Sequence, residues 1–561
     1  MPHRVSERPR ASRHASLVAR ARLLSLRRAI GVLAATLMVQ ACQTPDVTSA
    51  MPPATEPPAP ETGSGGAAGD SLDASVMLDL TAAGPLANRR IIGSNVQWVD
   101  RGDGLLGVDG KTWDPSALAH ATSLAPTVLR YPGGSHSDTY DWRAGMTTSG
   151  PRPESEVFFT GLRQSVQFGT PEFLELCRRV GAEAIITVNA ITGTAADAAA
   201  WVRATNIDGV RSPTGERLPS VRYWEVGNEP YLRHDARPDL WISPQAFAAR
   251  ANDFLRAMRA ADPSVQIGIP LMPDSYGSTT LPNQEPNYLD RMLSDVTEPY
   301  DFVSLHTAYF PFLWNPAEAL PDTAVFRATM GASRVLERDF ATIRTRLKQR
   351  WPARTIGIAM TEYNALFTLG GARDAYIGTV GGALYVADVL RVLAQTNDLL
   401  LANHWSLIGN WEFGALGSTG QPRPVTRVFE AYRDVLRGRL VTATVVAPTF
   451  DSPAAGLVPA ASGVPSVTVL ATTEGATLRL LVLNKDPARP ARVRLGGSDS
   501  RVLTSAVREF GASSLYGLEN GLGATTVNWV ARSNGPTTLP ATVSVGPHAM
   551  LWIELQLEST R

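Results

Sequence analysis

The sequence is poor in cysteine and has no surplus of either charge. Cys42 and Cys177 are its only cysteines in 561 residues, too few for a disulfide framework. The chain holds 52 basic and 52 acidic residues, but residues 1–41 contain eight arginines and one acid. The remainder is therefore acidic by seven charges, which excludes the basic surface that nucleic-acid binding requires. With 44% hydrophobic and 19% charged residues, the chain is an ordinary globular protein rather than a disordered or fibrous one.

Several common site motifs are also missing. No Gly-x-Gly-x-x-Gly follows a strand pattern to hold a phosphate group. No HExxH spacing or carboxylate cluster is present, and His306 and His404 are isolated in the sequence. We find no short repeat of the solenoid kind. The sequence therefore predicts no metal and no cofactor.

The N-terminus has the pattern of an export signal. Arg27 and Arg28 precede a short apolar run, 29–39, which is followed by Val-Gln-Ala-Cys ending at Cys42. A basic segment, a short apolar core and a small residue are typical of a signal peptide. The ending resembles a bacterial lipobox, so we predict a lipoprotein signal at 1–41, lipidation of Cys42 and export to the cell envelope with an outer-membrane anchor. Simple cleavage near Ala41 is the alternative.

Residues 42–73 are dominated by Pro, Ala, Gly, Thr and Ser. Such a stretch buries too little apolar surface to offset its chain entropy, so we expect a disordered tether. The lipid anchor is the only membrane contact that the sequence predicts.

An alternation of short β-branched runs and helical patterns fills residues 88–438. The predicted strands are 91–96, 128–131, 184–189, 223–226, 266–270, 302–306, 356–361 and 401–406. Eight strands alternating with helices are typical of an α/β fold of the (β/α)8 TIM-barrel type. After residue 438 the pattern changes to short alternating strands separated by Gly, Ser, Asp and Pro, which predicts a β-sandwich over 439–561. We expect the leading segment 74–87 to join this sandwich.

Polar side chains follow the predicted barrel strands, at the end where barrel active sites form. Two of them are glutamates: Glu229 follows the fourth strand, and Glu362 follows the seventh. These strands face each other across an eight-stranded barrel, so the two carboxylates can meet over its mouth. A single glutamate at a strand end is more often solvated. A facing pair is what glycoside hydrolysis needs.

The chain resembles clan A glycoside hydrolases, and in particular family 51, the α-L-arabinofuranosidases. The resemblance covers residues 75–557 and rests on short motifs in a specific order. They are Ile92-Gly93-Ser94-Asn95, Leu129-Arg130-Tyr131-Pro132-Gly133-Gly134, Tyr140-Asp141-Trp142-Arg143, Val188-Asn189 and the segment from Trp224 to Glu229.

This resemblance implies a carbohydrate substrate and a retaining double displacement at two carboxylates about 5 Å apart. Glu229 is then the acid/base and Glu362 the nucleophile. Burial is expected to favour the protonated form of Glu229, and Arg130 is expected to keep Glu362 ionised. The predicted substrate-binding residues are Asn228 at the 2-hydroxyl, Arg130, Asn189 and Gln97 at other groups, His306, Tyr309 beside the nucleophile, and Trp405 against the sugar ring. For His306 and Arg130, a purely structural role is the alternative.

The chain departs from family 51 at three places near the site. One is the segment His306-Thr307-Ala308-Tyr309 after the sixth strand, where the spacing from His to Tyr is one residue longer than usual. Ser135 follows Pro-Gly-Gly where the family usually has Asn, and Gln97 stands where the family carries Glu. The segment from Glu362 to Asn364 also resembles family 39 β-xylosidases, and Gly-Asn-Glu-Pro at 227–230 is compatible with β-glucuronidases. The remaining alternatives are a non-catalytic carbohydrate-binding lipoprotein and an envelope scaffold. The oligomeric state stays open.

Overall fold

The computed structural model describes residues 71–558, except 83, 148–149, 213, 235, 274–286, 308–320, 366–377, 410–412, 418–419, 455–457, 513–527 and 533–534. The predicted signal peptide, Cys42 and the tether up to residue 70 lie outside the described residues, as does Tyr309. The statements about them stay predictions. Among the helices that are described, none combines the length and apolar character needed to cross a bilayer.

Strands and helices alternate through the first part of the chain, and strands dominate the rest. In chain order the strands are β1 (Leu72–Asp79), β2 (Gly93–Asn95), β3 (Val128–Tyr131), β4 (Glu154–Glu156), β5 (Arg163–Ser165), β6 (Glu183–Val188), β7 (Tyr223–Val226), β8 (Gln266–Pro270), β9 (Phe302–Leu305), β10 (Gly357–Tyr363), β11 (Leu399–His404), β12 (Arg439–Leu440), β13 (Thr442–Val446), β14 (Thr449–Ser452), β15 (Ala461–Pro465), β16 (Val467–Glu474), β17 (Thr477–Asn484), β18 (Ala491–Phe510), β19 (Val530–Ala531), β20 (Thr538–Val545) and β21 (Ala549–Leu557). The main α-helices are Pro115–Leu124, Thr170–Val180, Ala195–Val202, Pro244–Ala261, Tyr288–Asp295, Asp322–Gly331, Ser333–Arg350, Val380–Ala394 and Val425–Val435.

Eight strands close into a barrel in the order β10-β11-β2-β3-β6-β7-β8-β9. Every neighbouring pair is parallel. Parallel strands covered by helices are buried on both faces, which explains why they appear in the sequence as apolar runs rather than alternating ones. One layer of the barrel interior is filled by Val128, Ile185, Tyr223, Phe302, Ala359 and Leu401. The predicted TIM barrel is confirmed.

The strand ends differ from the prediction by a few residues. Strand β10 continues to Tyr363, so Glu362 belongs to the strand itself rather than to the loop behind it. Strand β11 covers Leu399–His404 rather than 401–406, and Trp405 is the first residue after it. Strand β9 ends at Leu305, which places His306 directly behind it. All three residues consequently lie at the carboxyl end of the barrel.

The C-terminal strands form the β-sandwich, and β1 belongs to it. The strand order is β12-β16-β17-β21-β18-β1-β13, with β19 and β20 also paired to β18. Strand β1 runs antiparallel to β13 and parallel to β18. Its residues alternate between buried and exposed, with Leu72, Ala74, Val76 and Leu78 facing the sandwich core. The sandwich with its leading strand is confirmed, although β1 begins at Leu72, inside the range 42–73 predicted as tether.

The barrel and the sandwich are joined by a buried ion pair. Lys485, directly after β17, bonds through Nζ to Asp388 Oδ2 on the helix Val380–Ala394, and both side chains are almost fully buried. Arg391 on the same helix donates from Nε to Asp388 Oδ1 at 2.8 Å. Asp388 is therefore neutralised from both domains at once.

Candidate active site

The loop behind β7 brings Asn228 and Glu229 over the barrel mouth. Gly227 makes the turn with φ of +77°, a left-handed conformation that glycine adopts without strain. A Cβ atom at this glycine would stand 3.2 Å from the Cβ of Ala190. The close packing at Gly227 therefore fixes where the next two side chains point.

Glu229, His306 and Glu362 face one another over a single space. Nδ1 of His306 lies 2.8 Å from Glu229 Oε1 and 3.9 Å from Glu362 Oε2. One carboxylate oxygen of each glutamate and one ring nitrogen of the histidine all lie within 4.8 Å of one another. The side chains are 15% exposed for Glu229 and 5% for Glu362, so solvent reaches the acids from one side only.

The interpretation of His306 as an isolated histidine is wrong in three dimensions. It is isolated in the sequence, but the fold brings a carboxylate to either side of it. Two carboxylates and an imidazole are groups that can also hold a cation. The prediction of no metal was drawn from sequence spacing, which does not detect this cluster.

Arg130 at the end of β3 organises the floor of the site. Its guanidinium donates to Glu225 Oε2 at 2.7 Å, to Glu362 Oε1 at 2.7 Å, to Asn95 Oδ1 at 3.1 Å and to Asn228 Oδ1 at 2.9 Å. The side chain is completely buried. Hydrogen bonds to four acceptors hold the charge in one orientation and favour the ionised form of both glutamates.

Glu225 is a residue that the sequence reasoning missed. It lies inside β7 and is fully buried, with Thr187 Oγ1 donating to Oε2 at 2.6 Å and Thr361 Oγ1 donating to Oε1 at 3.0 Å. Burial alone raises the pKa of its carboxyl, but the charges of Arg130 and His306 outweigh burial and bring this pKa below the ordinary value. A charged residue within an apolar barrel strand was the available signal, because buried charges need partners.

Glu229 titrates in the direction opposite to the prediction. Burial raises its pKa, as expected, but the hydrogen bond and charge of His306, with contributions from His234 and Tyr231, bring the pKa below the ordinary value. Burial lowers the pKa of His306, yet the charges of Glu362 and Glu229 raise it overall. Both shifts favour the placement on His306, 2.8 Å away, of the proton that the prediction assigned to Glu229.

Thr361 determines which nitrogen of His306 always carries a hydrogen. The Thr361 hydroxyl donates its hydrogen to Glu225 Oε1, so it can only accept from His306 Nε2, 2.9 Å away. Nε2 is thus the permanently protonated nitrogen. The remaining proton lies on Nδ1 or on Glu229 Oε1, which share one hydrogen bond.

Asn228 has an unused donor at the mouth. Its Oδ1 accepts from Arg130, whereas its buried Nδ2 has no hydrogen-bond partner among the described residues. Buried donors without partners are rare in folded proteins, and they often await a ligand or a water molecule. This arrangement leaves the Asn228 amide ready to donate to a bound molecule.

Asn189 is committed to its own loop. Its Oδ1 accepts from the backbone N–H groups of Ile191, Thr192 and Gly193, and its Nδ2 donates to Thr192 Oγ1 at 2.8 Å. These contacts shape the loop behind β6 and give no support to the predicted contact with a substrate hydroxyl. Asn189 is better described as a residue that positions this loop.

Gln97 and Trp405 complete the described part of the predicted site. Half-buried Gln97 donates from Nε2 to Asp103 Oδ2 at 3.0 Å, which leaves its carbonyl oxygen as an acceptor. Trp405 follows β11 and is also half-buried, with Gly134 of the Pro-Gly-Gly segment close to its ring. The fold therefore brings together the tips of five barrel strands and places this ring at their edge.

Known proteins match part of the sequence. Residues 120–291 match the family model described as the alpha-L-arabinofuranosidase 1 domain. Alpha-L-arabinofuranosidase C of Emericella nidulans is 33% identical over 152 residues, which are 26% of this chain and 29% of that protein. An intracellular exo-alpha-L-arabinofuranosidase of Bacteroides ovatus is 34% identical over 114 residues, or 19% of this chain and 22% of that protein. The match thus spans less than a third of these relatives' length.

Solved structures match over most of the chain. The alpha-L-arabinofuranosidase of Thermotoga maritima has a TM-score of 0.70 at 20% identity, covering 86% of this chain and all of that one. The family 51 arabinofuranosidase of Xanthomonas axonopodis pv. citri has a TM-score of 0.71 at 16% identity, with the same coverage. The predicted resemblance is confirmed: this chain has the fold of family 51 arabinofuranosidases and, over residues 120–291, the sequence features of their arabinofuranosidase domain.

Proposed function

We propose that this protein is a retaining glycoside hydrolase that releases terminal α-L-arabinofuranose from oligosaccharides or polysaccharides. The observation that carries the proposal is the pair of facing carboxylates, with an oxygen of Glu229 and one of Glu362 within 4.8 Å. Carboxyl groups about 5 Å apart suit a double displacement, whereas inverting enzymes need more room for a water molecule. The sequence match to arabinofuranosidases over residues 120–291 supports the choice of sugar.

In the first step Glu362 attacks the anomeric carbon and forms a covalent glycosyl-enzyme. Arg130, 2.7 Å from Glu362 Oε1, keeps the carboxylate charged and oriented before the attack. As negative charge leaves Glu362, the guanidinium remains paired with Glu225, so no buried charge is left without a partner. The Asn228 Nδ2 donor is available for the 2-hydroxyl of the sugar, a contact that strengthens in the transition state.

The departing oxygen receives its proton from Glu229. That proton lies in the hydrogen bond between His306 Nδ1 and Glu229 Oε1, and substrate binding shifts it onto the carboxylate. In the second step the ionised Glu229 takes a proton from water, which attacks the sugar carbon and releases Glu362. His306 then recovers the proton, and the pair returns to its starting state.

Azide rescue of two variants tests these roles. Glu362→Ala should lose nearly all turnover of 4-nitrophenyl α-L-arabinofuranoside, and azide should restore part of it with a β-configured, inverted glycosyl azide. Glu229→Ala should yield an α-configured azide, because azide then resolves the intermediate in place of water. Glu225→Gln is the matched control: this carboxylate bonds the same guanidinium but is fully buried, so azide should restore nothing.

Activity on other sugars decides between the alternatives. The same protein should be assayed on aryl β-D-xyloside and aryl β-D-glucuronide. Faster hydrolysis of either would replace arabinofuranose by that sugar and leave the two-carboxylate chemistry intact. Rescue of Glu362→Ala with retained configuration would contradict the nucleophile role, and sugar binding without any hydrolysis would favour the non-catalytic alternative.

A further inference from the structure

A cavity lies beside Glu229, and Glu362 is not among its lining residues. It is a small space, partly open to solvent, between the turn Gly134–Thr139 and the loop behind β7. Its walls include Asp138, Phe158, Glu229, His234, Arg237 and Trp241. In the proposed function Glu229 protonates the leaving oxygen, so a cavity next to this residue is where the leaving group would lie.

Asp138 is a polar group in the wall of this cavity that no step of the proposed mechanism uses. Its side chain is buried, with the residue only 5% exposed, and its carboxyl accepts a hydrogen bond from the backbone N–H of Asn228. The other carboxyl oxygen, Oδ1, has no hydrogen-bond partner among the described residues. This oxygen is shielded within the cavity wall, and a hydroxyl group that enters the cavity could supply the hydrogen-bond partner it lacks.

The surroundings of Asp138 keep its carboxyl largely neutral at neutral pH. Burial raises the pKa of Asp138 to about 8, the charges of Glu229 and Glu225 act in the same direction, and Arg130 opposes them. A neutral carboxylic acid can donate its own hydrogen as well as accept one. Asp138 can therefore either donate a hydrogen bond to a hydroxyl group or accept one from it, without adding a second negative charge beside Glu229.

The two arginines near this cavity already have partners, and His234 in its wall faces Glu229. Arg237 donates to Glu156 Oε1 at 2.5 Å and to Asp239 Oδ2 at 2.9 Å. Arg233 lies over the ring of Trp241, 4.5 Å from its centre, and this ring is 40% exposed at the rim. An exposed aromatic face with one neutral acid favours an uncharged sugar. A uronic acid would bring its carboxylate close to Asp138 and Glu229.

We propose that Asp138 is a specificity-determining residue that binds a hydroxyl group of a neutral leaving-group sugar. The inference rests on the proposed function for naming the sugar as the leaving group. It goes beyond that function because it assigns a second sugar position, its binding residue and its charge preference. Asp138 acts on the choice of leaving group rather than on the bond-breaking step.

Two variants of Asp138 test the contact in the full-length protein. The measured quantity is the ratio of kcat/KM for an arabinofuranosyl-substituted xylo-oligosaccharide to kcat/KM for 4-nitrophenyl α-L-arabinofuranoside, whose leaving group has no hydroxyl to bind. Asp138→Ala should lower this ratio about 10- to 100-fold, the effect of losing a buried hydrogen bond. Asp138→Asn should keep it within about threefold, because the amide can still accept from Asn228 and donate to the sugar.

The pH dependence gives a second readout. In the wild type the ratio should fall as the pH rises past about 8, because the ionised Asp138 no longer donates a hydrogen bond. Asp138→Asn should remove that fall. The matched control is Asp141→Asn, an exposed aspartate three positions further on, which should change neither the ratio nor its pH dependence.

Binding measurements separate this inference from the proposed function. Xylotriose should bind to Glu362→Ala at least tenfold more tightly than to Glu362→Ala/Asp138→Ala, measured by calorimetry. If no arabinofuranoside is hydrolysed but this difference is found, the proposed function fails and the sugar contact stands. If hydrolysis occurs but Asp138→Ala lowers both rates equally, or xylotriose affinity is unaffected, the inference is overturned. Equal melting temperatures of Asp138→Ala and Asp141→Asn would exclude misfolding as the cause.

Discussion

Gly134 lies directly against the ring of Trp405. A Cβ atom added to this glycine would stand 2.7 Å from Trp405 Cη2, and the backbone there has φ of +45°. Real Cβ atoms do not approach that closely, so any side chain at 134 must displace the tryptophan. The tight turn behind β3 thus fixes the ring that is proposed to contact the sugar.

The first prediction follows from this contact. Gly134→Ala should raise KM for the aryl arabinofuranoside by about tenfold, because the indole moves away from the sugar ring and aromatic contacts contribute on the order of 1 kcal/mol. Gly463→Ala is the control: it has φ of +64° but no atom near its added Cβ. Equal KM values for both variants would mean that Trp405 does not touch the substrate.

The second prediction concerns the shared proton. The ordinary pKa of histidine is 6.5 and that of glutamate is 4.5, and contact with the two glutamates raises the pKa of His306 further. In His306→Asn the acid catalyst is a buried carboxyl group alone. Burial raises the pKa of this carboxyl group, but the higher ordinary pKa of histidine is itself raised by the two glutamates, so the alkaline limb of kcat/KM should move to lower pH.

The pH profile should be measured with a poor leaving group, for which protonation limits the rate. His120→Asn, a change at a half-buried histidine on the helix Pro115–Leu124, should not change the pH profile. If the alkaline limb of kcat/KM lies at the same pH in His306→Asn as in the wild type, then the protonation of Glu229 does not depend on His306.

The third prediction concerns Gln97, where family 51 carries Glu. Burial raises the pKa of its partner Asp103 to about 7. Gln97→Glu would place two carboxyl groups about 3 Å apart. Both would then have a higher pKa in the folded than in the unfolded state, so the stability of the variant should be greatest at acidic pH and fall as the pH rises through 7. The difference in melting temperature from the wild type should therefore be larger at pH 8 than at pH 5. Gln97→Ala adds no charge but removes the hydrogen bond that lowers the pKa of Asp103, so it should show the same trend with pH to a smaller extent.

The fourth prediction concerns the ion pair between the domains. Asp388→Asn removes the carboxylate that neutralises buried Lys485 and should lower the free energy of unfolding by about 3–5 kcal/mol. Lys485→Met should cost less, because Asp388 keeps Arg391, 2.8 Å away. The pKa of Asp388 is lowered: burial raises it, but Arg391 and Lys485 outweigh burial.

The stability that Asp388 contributes is therefore complete above its ordinary pKa of 3.8 and is lost as the pH falls below that value. Denaturant unfolding should show the Asp388→Asn deficit shrinking between pH 6 and pH 3. A deficit independent of pH would indicate that packing, rather than charge, holds the domains together at this point.

The sequence predicts well those features that are determined by residues close together in the chain. Barrel strands are buried on both faces, so each one appears as an apolar run, and the residues just behind it are readable as the site. Glu229, Glu362 and Arg130 could be chosen in this way before any coordinates. The alternation within β1 likewise predicts a strand with one buried face.

The elements that were missed depend on partners distant in sequence. Glu225 is recognisable as part of the site only through Arg130, 95 residues earlier. The sign of the pKa shift of Glu229 depends on His306, 77 residues later. Asp138 follows a segment where this chain departs from family 51, so resemblance carried no information about it. In each case the three-dimensional neighbours, and not the local sequence, determine the electrostatics.

The position of β1 has a consequence for how the chain assembles. Its two partners, β13 and β18, begin at Thr442 and Ala491, more than 360 residues after β1. During synthesis the barrel can close before β13 and β18 are made, and β1 remains unpaired until then. Strand β1 completes a sheet whose other strands follow the barrel in the chain, so removing either β1 or the segment that holds β13 and β18 would leave the same sheet incomplete.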